Sequence, residues 1–245
     1  MMLNRADRRA TAKLLRSKTT NGTKQNANTR WLASQGHSDV LIQMSVDAIS
    51  EHGMPPTDAD VAAAHEAGHV IVGLAMGGRF CEAYIVPNQG RWEGYSSVNI
   101  PGVNSVENCN ALTDPRRGWL LGLQRAGGIH GEIIIGRYHP ASSIDEAFVM
   151  TSLVHGLSRL YGVPIEVVGT TLTIVTTHII KANRNAFEVV RSTLLTKRVL
   201  TLSEVKDLPI AQFDHDALIP GWLVKPKTLS NKTTADESTV LGATI

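Results

Sequence analysis

The stretch that decides the fold is residues 57–78, TDADVAAAHEAGHVIVGLAMGG. It predicts a helix because Thr57-Asp58 stand where an N-cap is expected and Gly77-Gly78 end the helical pattern. Within it, apolar residues recur every three or four positions, which is typical of a helix with one buried stripe. The members of this stripe are Ala63, Ala67, Val70 and Leu74.

Outward from this helix, the chain alternates turn signals with periodic segments. Strands are predicted at residues 80–86 and 94–100, joined by a turn at 88–90. Further helices are predicted at 114–136, from Ser142 or Ser143 to 161, at 165–197 and at 202–207. The expected fold class is therefore mainly α with a small β-sheet.

The ends of the 245-residue chain differ in composition from its middle. We expect a basic, disordered arm at 1–50 with a short helix at 5–17, a folded domain at 51–215 and a polar tail at 216–245. Residues 1–30 hold eight Lys or Arg and one acid, which indicates a tail for nucleic acid, a lipid surface or a protein partner. A merely solvated leader and an organelle transit peptide are the alternatives.

Hydropathy and cysteine content bear on where the protein is found. No run of eighteen apolar residues occurs, so no membrane span is expected, and the N-terminus shows no apolar signal core. Two cysteines, Cys81 and Cys109, are too few for a zinc tetrad and do not require an oxidising compartment. We therefore expect a cytoplasmic protein.

The central helix carries the motif His65-Glu66-Ala67-Gly68-His69, an H-E-x-x-H pattern. Four residues at about 100° each bring the two imidazoles to one side, one turn apart, where both can bind one zinc ion. Glu66 falls beside the open metal position, where a carboxylate can take a proton from water and pass it to a leaving amine. The alternative is a helix whose histidines are simply surface residues.

A zinc hydrolase needs a third protein ligand, and the spacing of the residues does not select one. Asp145 also has a structural explanation, because it stands where a carboxylate completes a capping box behind Ser142. The candidates are Glu82, His130, Glu132, His139, Asp145 and Glu146.

Several segments in order resemble the peptidase domain of the FtsH family, the membrane-linked AAA+ zinc proteases. The resemblance covers about residues 55–210. It rests on the helix from Ala64 to His69 and on four segments after it. These are Tyr84-Ile85-Val86-Pro87 with Gly94-Tyr95-Ser96, Ala126-Gly127 through Glu132 to Gly136, Asn183-Arg184-Asn185-Ala186, and Leu202-Ser203-Glu204-Val205.

The resemblance implies roles for individual residues. His65 and His69 match the zinc histidines, Glu66 the catalytic glutamate and Asp145 the aspartate ligand, while Glu132 matches an acid near the site that can contact a zinc histidine. It also implies that an extended substrate joins the second strand by β-addition, with Gly94, Tyr95 and Ser96 as the substrate-binding segment.

The chain also departs from the family. It has no glycine-rich phosphate loop and therefore no ATPase module, and it lacks the family's membrane helices. Gly128 and Gly131 replace an Arg and an acid in the small-residue helix. We therefore expect the chain either to cleave peptides and loose segments alone or to dock onto a separate AAA+ unfoldase. The resemblance also implies a homo-oligomer, namely a hexamer.

Together these features predict a zinc-dependent metalloendopeptidase of zincin type that hydrolyses extended polypeptides with metal-activated water. The alternative is a catalytically inactive FtsH-like fold that binds peptides or serves in assembly. A third hypothesis makes the basic arm the functional part, with the domain as a scaffold on nucleic acid.

Overall fold

A computed structural model describes residues 39–53, 58–88, 90–103, 114–140 and 142–224. Within these ranges the chain is mainly helical with one small antiparallel sheet. The helices are α1 (Asp39–His52), α2 (Ala59–Ala75), α3 (Pro115–Ile134), α4 (Ile144–Tyr161), α5 (Ile165–Ala182), α6 (Arg184–Lys197), α7 (Leu202–Val205) and α8 (His215–Leu218), with a final 3-10 turn at Gly221–Leu223. The strands are β1 (Arg79–Asn88), β2 (Arg91–Asn99) and β3 (Val199–Leu200).

Helix α2 is the centre of the fold. It begins after Asp58, whose side chain accepts a hydrogen bond from the Val61 backbone NH, and Gly77, with φ of 74°, turns the chain out of it. Helices α3, α5 and α6 and strands β1 and β2 all pack against it. The sequence predicted one buried stripe, but α2 is buried on most of its surface, as its Ala- and Val-rich composition allows.

The sheet has the order β2-β1-β3, so β2 lies at an edge. Strands β1 and β2 form an antiparallel pair in which Ala83 lies opposite Ser96 and Ile85 opposite Gly94. Ala83 and Ile85 are buried, so the side chains of this row point from the sheet toward α2. The short strand β3, which the sequence did not predict, pairs with the other edge of β1.

Helices α2 and α3 approach each other so closely that side chains are excluded between them. A Cβ atom on Gly68 would overlap the carbonyl group of Gly127, and one on Gly131 would overlap the carbonyl oxygen of Ala64. Glycine at these positions lets the two backbones touch, as small residues do at tight helix crossings. Gly131 thus has a packing reason in the contact of α3 with α2.

The prediction of a single helix at residues 165–197 is wrong, because the helix is interrupted at Asn183, which separates α5 from α6. The buried Asn183 amide donates hydrogen bonds to the carbonyls of Ile179 and Ala211, and its oxygen accepts from the Ala211 NH. This side chain therefore holds a later segment of the chain against the helix end. Side-chain hydrogen bonding to the backbone competes with helix continuation at such positions.

Helical and buried residues also occur outside the domain limits of 51 and 215 expected from composition. Residues 39–50 lie within helix α1, which packs against α4, although they were assigned to the arm. At the other end, Leu218 and Leu223 are buried and the Trp119 indole NH donates to the Leu218 carbonyl, so the core extends past residue 216. The basic helix expected at 5–17 and the tail beyond 224 lie outside the described residues.

Among the described residues, one helix is long and apolar enough to cross a membrane by length and composition, namely α5 (Ile165–Ala182). Only 28% of that window is buried within the protein. Length and composition of one helix are weak evidence for a span, because core helices of soluble proteins pass the same test.

We predict that Gly68→Ala destabilises the protein by about 2–3 kcal/mol, because the added methyl group has no space against the Gly127 carbonyl. Gly169→Ala is the matched control, since a Cβ at this helical glycine meets nothing within 4 Å. It should be neutral or stabilising by up to about 1 kcal/mol. Urea denaturation measures both, and equal stability of the two variants would contradict the tight crossing.

Candidate metal centre

The two histidines of α2 converge as the one-turn spacing predicts. His65 Nε2 and His69 Nε2 lie 3.1 Å apart, and their rings meet nearly edge to face. Two nitrogens bound to one tetrahedral zinc ion at 2.0–2.1 Å are about 3.3 Å apart, so the pair already has metal-binding geometry.

The remaining ring nitrogen of each histidine is held by α3. His65 Nδ1 lies 2.8 Å from Glu132 Oε1, and His69 Nδ1 lies 2.8 Å from the carbonyl oxygen of Gln124. A carbonyl oxygen only accepts, so His69 Nδ1 carries the proton and donates it. His65 Nδ1 likewise carries a proton, because the Glu132 carboxylate that it faces also accepts a hydrogen bond. In the neutral rings both Nε2 lone pairs are therefore free for a metal ion.

The third member of the cluster is Glu146, not Asp145. Glu146 Oε1 lies 2.7 Å from His69 Nε2, and its Oε2 lies 3.3 Å from His65 Nε2. The ligand atoms of His65, His69 and Glu146 all lie within 4.8 Å of one another. Asp145, which the resemblance implied as ligand, is exposed and belongs to no such group.

The start of α4 explains why Glu146, and not Asp145, faces the histidines. Ser143 is its N-cap, which makes Asp145 the second residue of the helix and Glu146 the third, about 100° further round. Neither a capping box nor any side-chain cap is formed at this helix start. Instead the hydroxyls of Ser142 and Ser143 donate to the Glu132 carboxylate at 2.8 and 3.0 Å. This docking turns Glu146 inward and leaves Asp145 in solvent.

Burial and charge act in opposite directions on the cluster. Burial lowers the pKa of His65, but the carboxylates of Glu146 and Glu132 outweigh it and hold that pKa well above its usual value. Burial raises the pKa of Glu146, but His69 and His65 outweigh it and hold that pKa well below its usual range. Glu146 is therefore an anion facing the two Nε2 atoms at neutral pH.

These groups fit a divalent cation. Two imidazole nitrogens and a carboxylate face one point, an arrangement of acceptors that needs a bridging proton or metal ion to be stable. The buried Glu146 Oε2 receives no well-formed hydrogen bond. His65 also has the usual surroundings of a metal-binding histidine. Its Nδ1 faces the Glu132 carboxylate, while its Nε2 is directed to the same point as the Glu146 carboxylate. Within the described residues this is the group that can hold a metal ion.

Gly128 keeps space open beside the two imidazoles. A Cβ atom there would lie 2.5 Å from His65 Nε2 and 2.6 Å from His69 Nε2, inside any acceptable contact distance. This position therefore admits only glycine in this geometry.

Glu66 lies against strand β2, apart from the three-residue group. Its Oε2 accepts a hydrogen bond of 2.6 Å from Ser96 Oγ, and a Cβ atom on Gly94 would overlap its carboxylate. Burial raises the pKa of Glu66, although His65, His69 and the Ser96 hydrogen bond act to lower it. The carboxylate is thus buried beside the histidines and adjacent to an edge strand.

Other residues considered from sequence lie elsewhere. His130 is buried on the α5 side of α3, where its Nδ1 lies 3.1 Å from Thr177 Oγ1 and burial lowers its pKa to about 4. His139 Nε2 lies 3.1 Å from the His52 carbonyl oxygen. Glu82 is exposed on β1, and Tyr95 is 46% exposed and contacts Tyr84 away from the site.

Sequence reasoning included Glu146 among six candidates but could not prefer it. Asp145 and Glu146 are neighbours, so a one-residue difference in the helix start exchanges their directions. It also missed the Gln124 carbonyl and the pair Ser142 and Ser143 as supports, because backbone acceptors and single hydroxyls leave no pattern in a sequence.

Comparison with known proteins adds no identification. No protein-family model matches the chain, and a search of curated proteins finds no match. The function must therefore be inferred from the residues and their geometry.

We predict that Glu146→Gln weakens zinc binding by at least about 100-fold, because it removes the only negative charge facing the two Nε2 atoms within the three-residue group. The matched control is Asp145→Asn, which changes the neighbouring exposed acid by the same chemistry and should bind zinc like the wild type. Competition with a chromophoric chelator measures both. Weaker zinc binding by Asp145→Asn than by Glu146→Gln would instead identify Asp145 as the ligand.

A second prediction concerns the support of His65. Glu132→Gln should weaken zinc binding by about 10- to 100-fold, because it removes the acceptor charge behind Nδ1 while keeping the side-chain shape. Glu82→Gln, an exposed acid on β1, is the control. The same chelator competition applies, and wild-type affinity in Glu132→Gln would show that this carboxylate serves packing alone.

Proposed function

We propose that the protein is a zinc-dependent metalloendopeptidase. The observation that carries the proposal is a two-histidine, one-glutamate group with a separate buried carboxylate, Glu66, beside it and under an edge strand. Three protein ligands leave one coordination position for water or substrate, as catalytic zinc sites require. A structural zinc site has four protein ligands and needs no neighbouring base.

The donor set favours zinc over magnesium or calcium, which prefer oxygen ligands. Zinc bound in such a site acts as a Lewis acid that activates water and polarises a peptide carbonyl. His65, His69 and Glu146 are the proposed ligands. Glu132 and the Gln124 carbonyl orient the two imidazoles.

Glu66 is the proposed general base and acid. Its carboxylate is close enough to His65, His69 and Glu146 to interact electrostatically with them, and it is not a member of the three-residue group, which supports a role as base rather than as ligand. A buried carboxylate with a raised pKa accepts a proton from the attacking water more readily than an exposed one. The same group can return that proton to the leaving amine. No covalent intermediate with the protein is required.

Strand β2 is the proposed substrate platform. It is an edge strand of the described sheet, and its middle part, Gly94 to Ser96, passes directly over Glu66. An extended peptide can add to such an edge through main-chain hydrogen bonds, which brings a scissile bond to Glu66 without demanding one side-chain sequence. Substrates are then extended or unfolded segments of polypeptide.

These features support a zincin-type peptidase that resembles the FtsH family. Unfolded substrates would be cut directly, and folded ones would have to be unfolded first. An inactive peptide-binding module is the competing function, and one observation favours it: Glu66, His69 and Glu146 are each only 5% exposed, so the site is narrow.

The test is cleavage of unfolded casein by the zinc-loaded protein beside Glu66→Gln. We expect cleavage that a chelator abolishes, a rate at least about 100-fold lower in Glu66→Gln, and the same zinc content in both. Asp145→Asn serves as the control for mutation near the site. Bound zinc without cleavage in the wild type would favour the binding module, and absence of bound metal would refute the proposal.

A further inference from the structure

The inner face of strand β2 presents two unusual residues to Glu66. In the β1–β2 register, Gly94 lies opposite buried Ile85 and Ser96 lies opposite buried Ala83, so both belong to the row that faces α2. A glycine and a serine stand where a strand covering a core normally places bulky apolar side chains. Strand β2 thus lacks apolar side chains at Gly94 and Ser96, the two positions where it contacts the Glu66 carboxylate.

Each of the two residues does something different for Glu66. Any side chain at Gly94 would overlap the Glu66 carboxylate, so glycine makes room for it. Ser96 supplies a donor, with Oγ 2.6 Å from Glu66 Oε2, a distance typical of a charge-assisted O–H···O⁻ bond. Glu66 Oε2 is held in this way while the carboxylate remains next to the histidines.

We propose that Ser96 is a positioning residue for Glu66: its hydroxyl holds Glu66 Oε2 and so fixes the orientation of the carboxylate that would take the proton from the attacking water. This inference rests on the proposed peptidase function. It gives the Ser96 side chain a role different from the substrate contact that the family resemblance implies. The backbone of β2 would bind the substrate, and the Ser96 side chain would hold Glu66, the proposed base.

The role also links substrate binding to the base. Ser96 belongs to the edge strand that an extended peptide would join, so pairing of a substrate with β2 fixes the strand that holds Glu66. A base oriented from the substrate platform is correctly placed when a peptide is bound. Preorganisation of this kind acts on the catalytic rate rather than on the affinity for substrate.

The experiment compares Ser96→Val with Ser96→Thr in the zinc-loaded full chain. The two side chains have nearly the same shape and differ by a methyl group in place of the hydroxyl, and both suit a strand. We expect Ser96→Val to lower kcat on an unfolded casein substrate about 10- to 100-fold with little change in KM, as loss of a charge-assisted hydrogen bond predicts. Ser96→Thr should restore kcat to within about threefold of wild type.

A matched control and a second readout make the result specific. Ser97→Val changes the next serine, which lies opposite exposed Glu82 on the outer face of the sheet, and should leave kcat unchanged. The carboxyl ¹³C resonance of Glu66, assigned by its loss in Glu66→Gln, should move in Ser96→Val and stay in Ser96→Thr. This resonance reports the hydrogen bond without any need for cleavage.

Three outcomes would overturn the assignment. They are an unmoved Glu66 resonance in Ser96→Val, a loss that appears in KM alone, and a loss of bound zinc that accounts for the lower rate. If Ser96→Val does not fold, Ser96→Ala removes the hydroxyl without adding bulk and is judged by the same criteria. Failure of the peptidase proposal looks different, because the wild type would then cleave nothing while the resonance still reports on Ser96.

Discussion

The contact on which the rest of the structure depends is the backbone-to-backbone crossing of α2 and α3. Gly68, Gly127 and Gly131 bring the two helices together without side chains between them. At this separation, the Gln124 carbonyl and the Glu132 carboxylate of α3 reach the Nδ1 atoms of the α2 histidines. A wider crossing would leave both Nδ1 atoms without acceptors and the imidazoles free to rotate.

The remaining parts of the site are attached to this crossing from two directions. Glu132 accepts hydrogen bonds from Ser142 and Ser143, which fixes the start of α4 and brings Glu146 to the Nε2 atoms. From the other side, β2 covers Glu66 through Gly94 and Ser96. The buried Glu132 carboxylate thus orients His65 and also fixes the helix start that carries Glu146. Changes at Glu132 should therefore affect both of these proposed ligands.

Buried charge in the core has a cost that the proposed metal explains. Glu66, Glu132 and Glu146 are almost completely buried within one small region, where His65 and His69 are the residues of the described chain that oppose the charges of Glu66 and Glu146. Three carboxylates beside two imidazoles are expensive to bury for stability alone, because desolvation is only partly offset by pairing. A cluster that could hold a cation accounts for them, whereas a purely structural core would carry apolar residues at these positions.

The sequence alone determined the central helix, its two histidines and Glu66, because local periodicity and a one-turn spacing do not depend on the rest of the chain. It also predicted the hairpin and the mainly helical class. Only the tertiary structure decided between Asp145 and Glu146, broke the long helix at Asn183 and gave Ser96 a contact with Glu66. Each of these depends on where distant segments dock, and a helix start that shifts by one residue turns a different side chain inward.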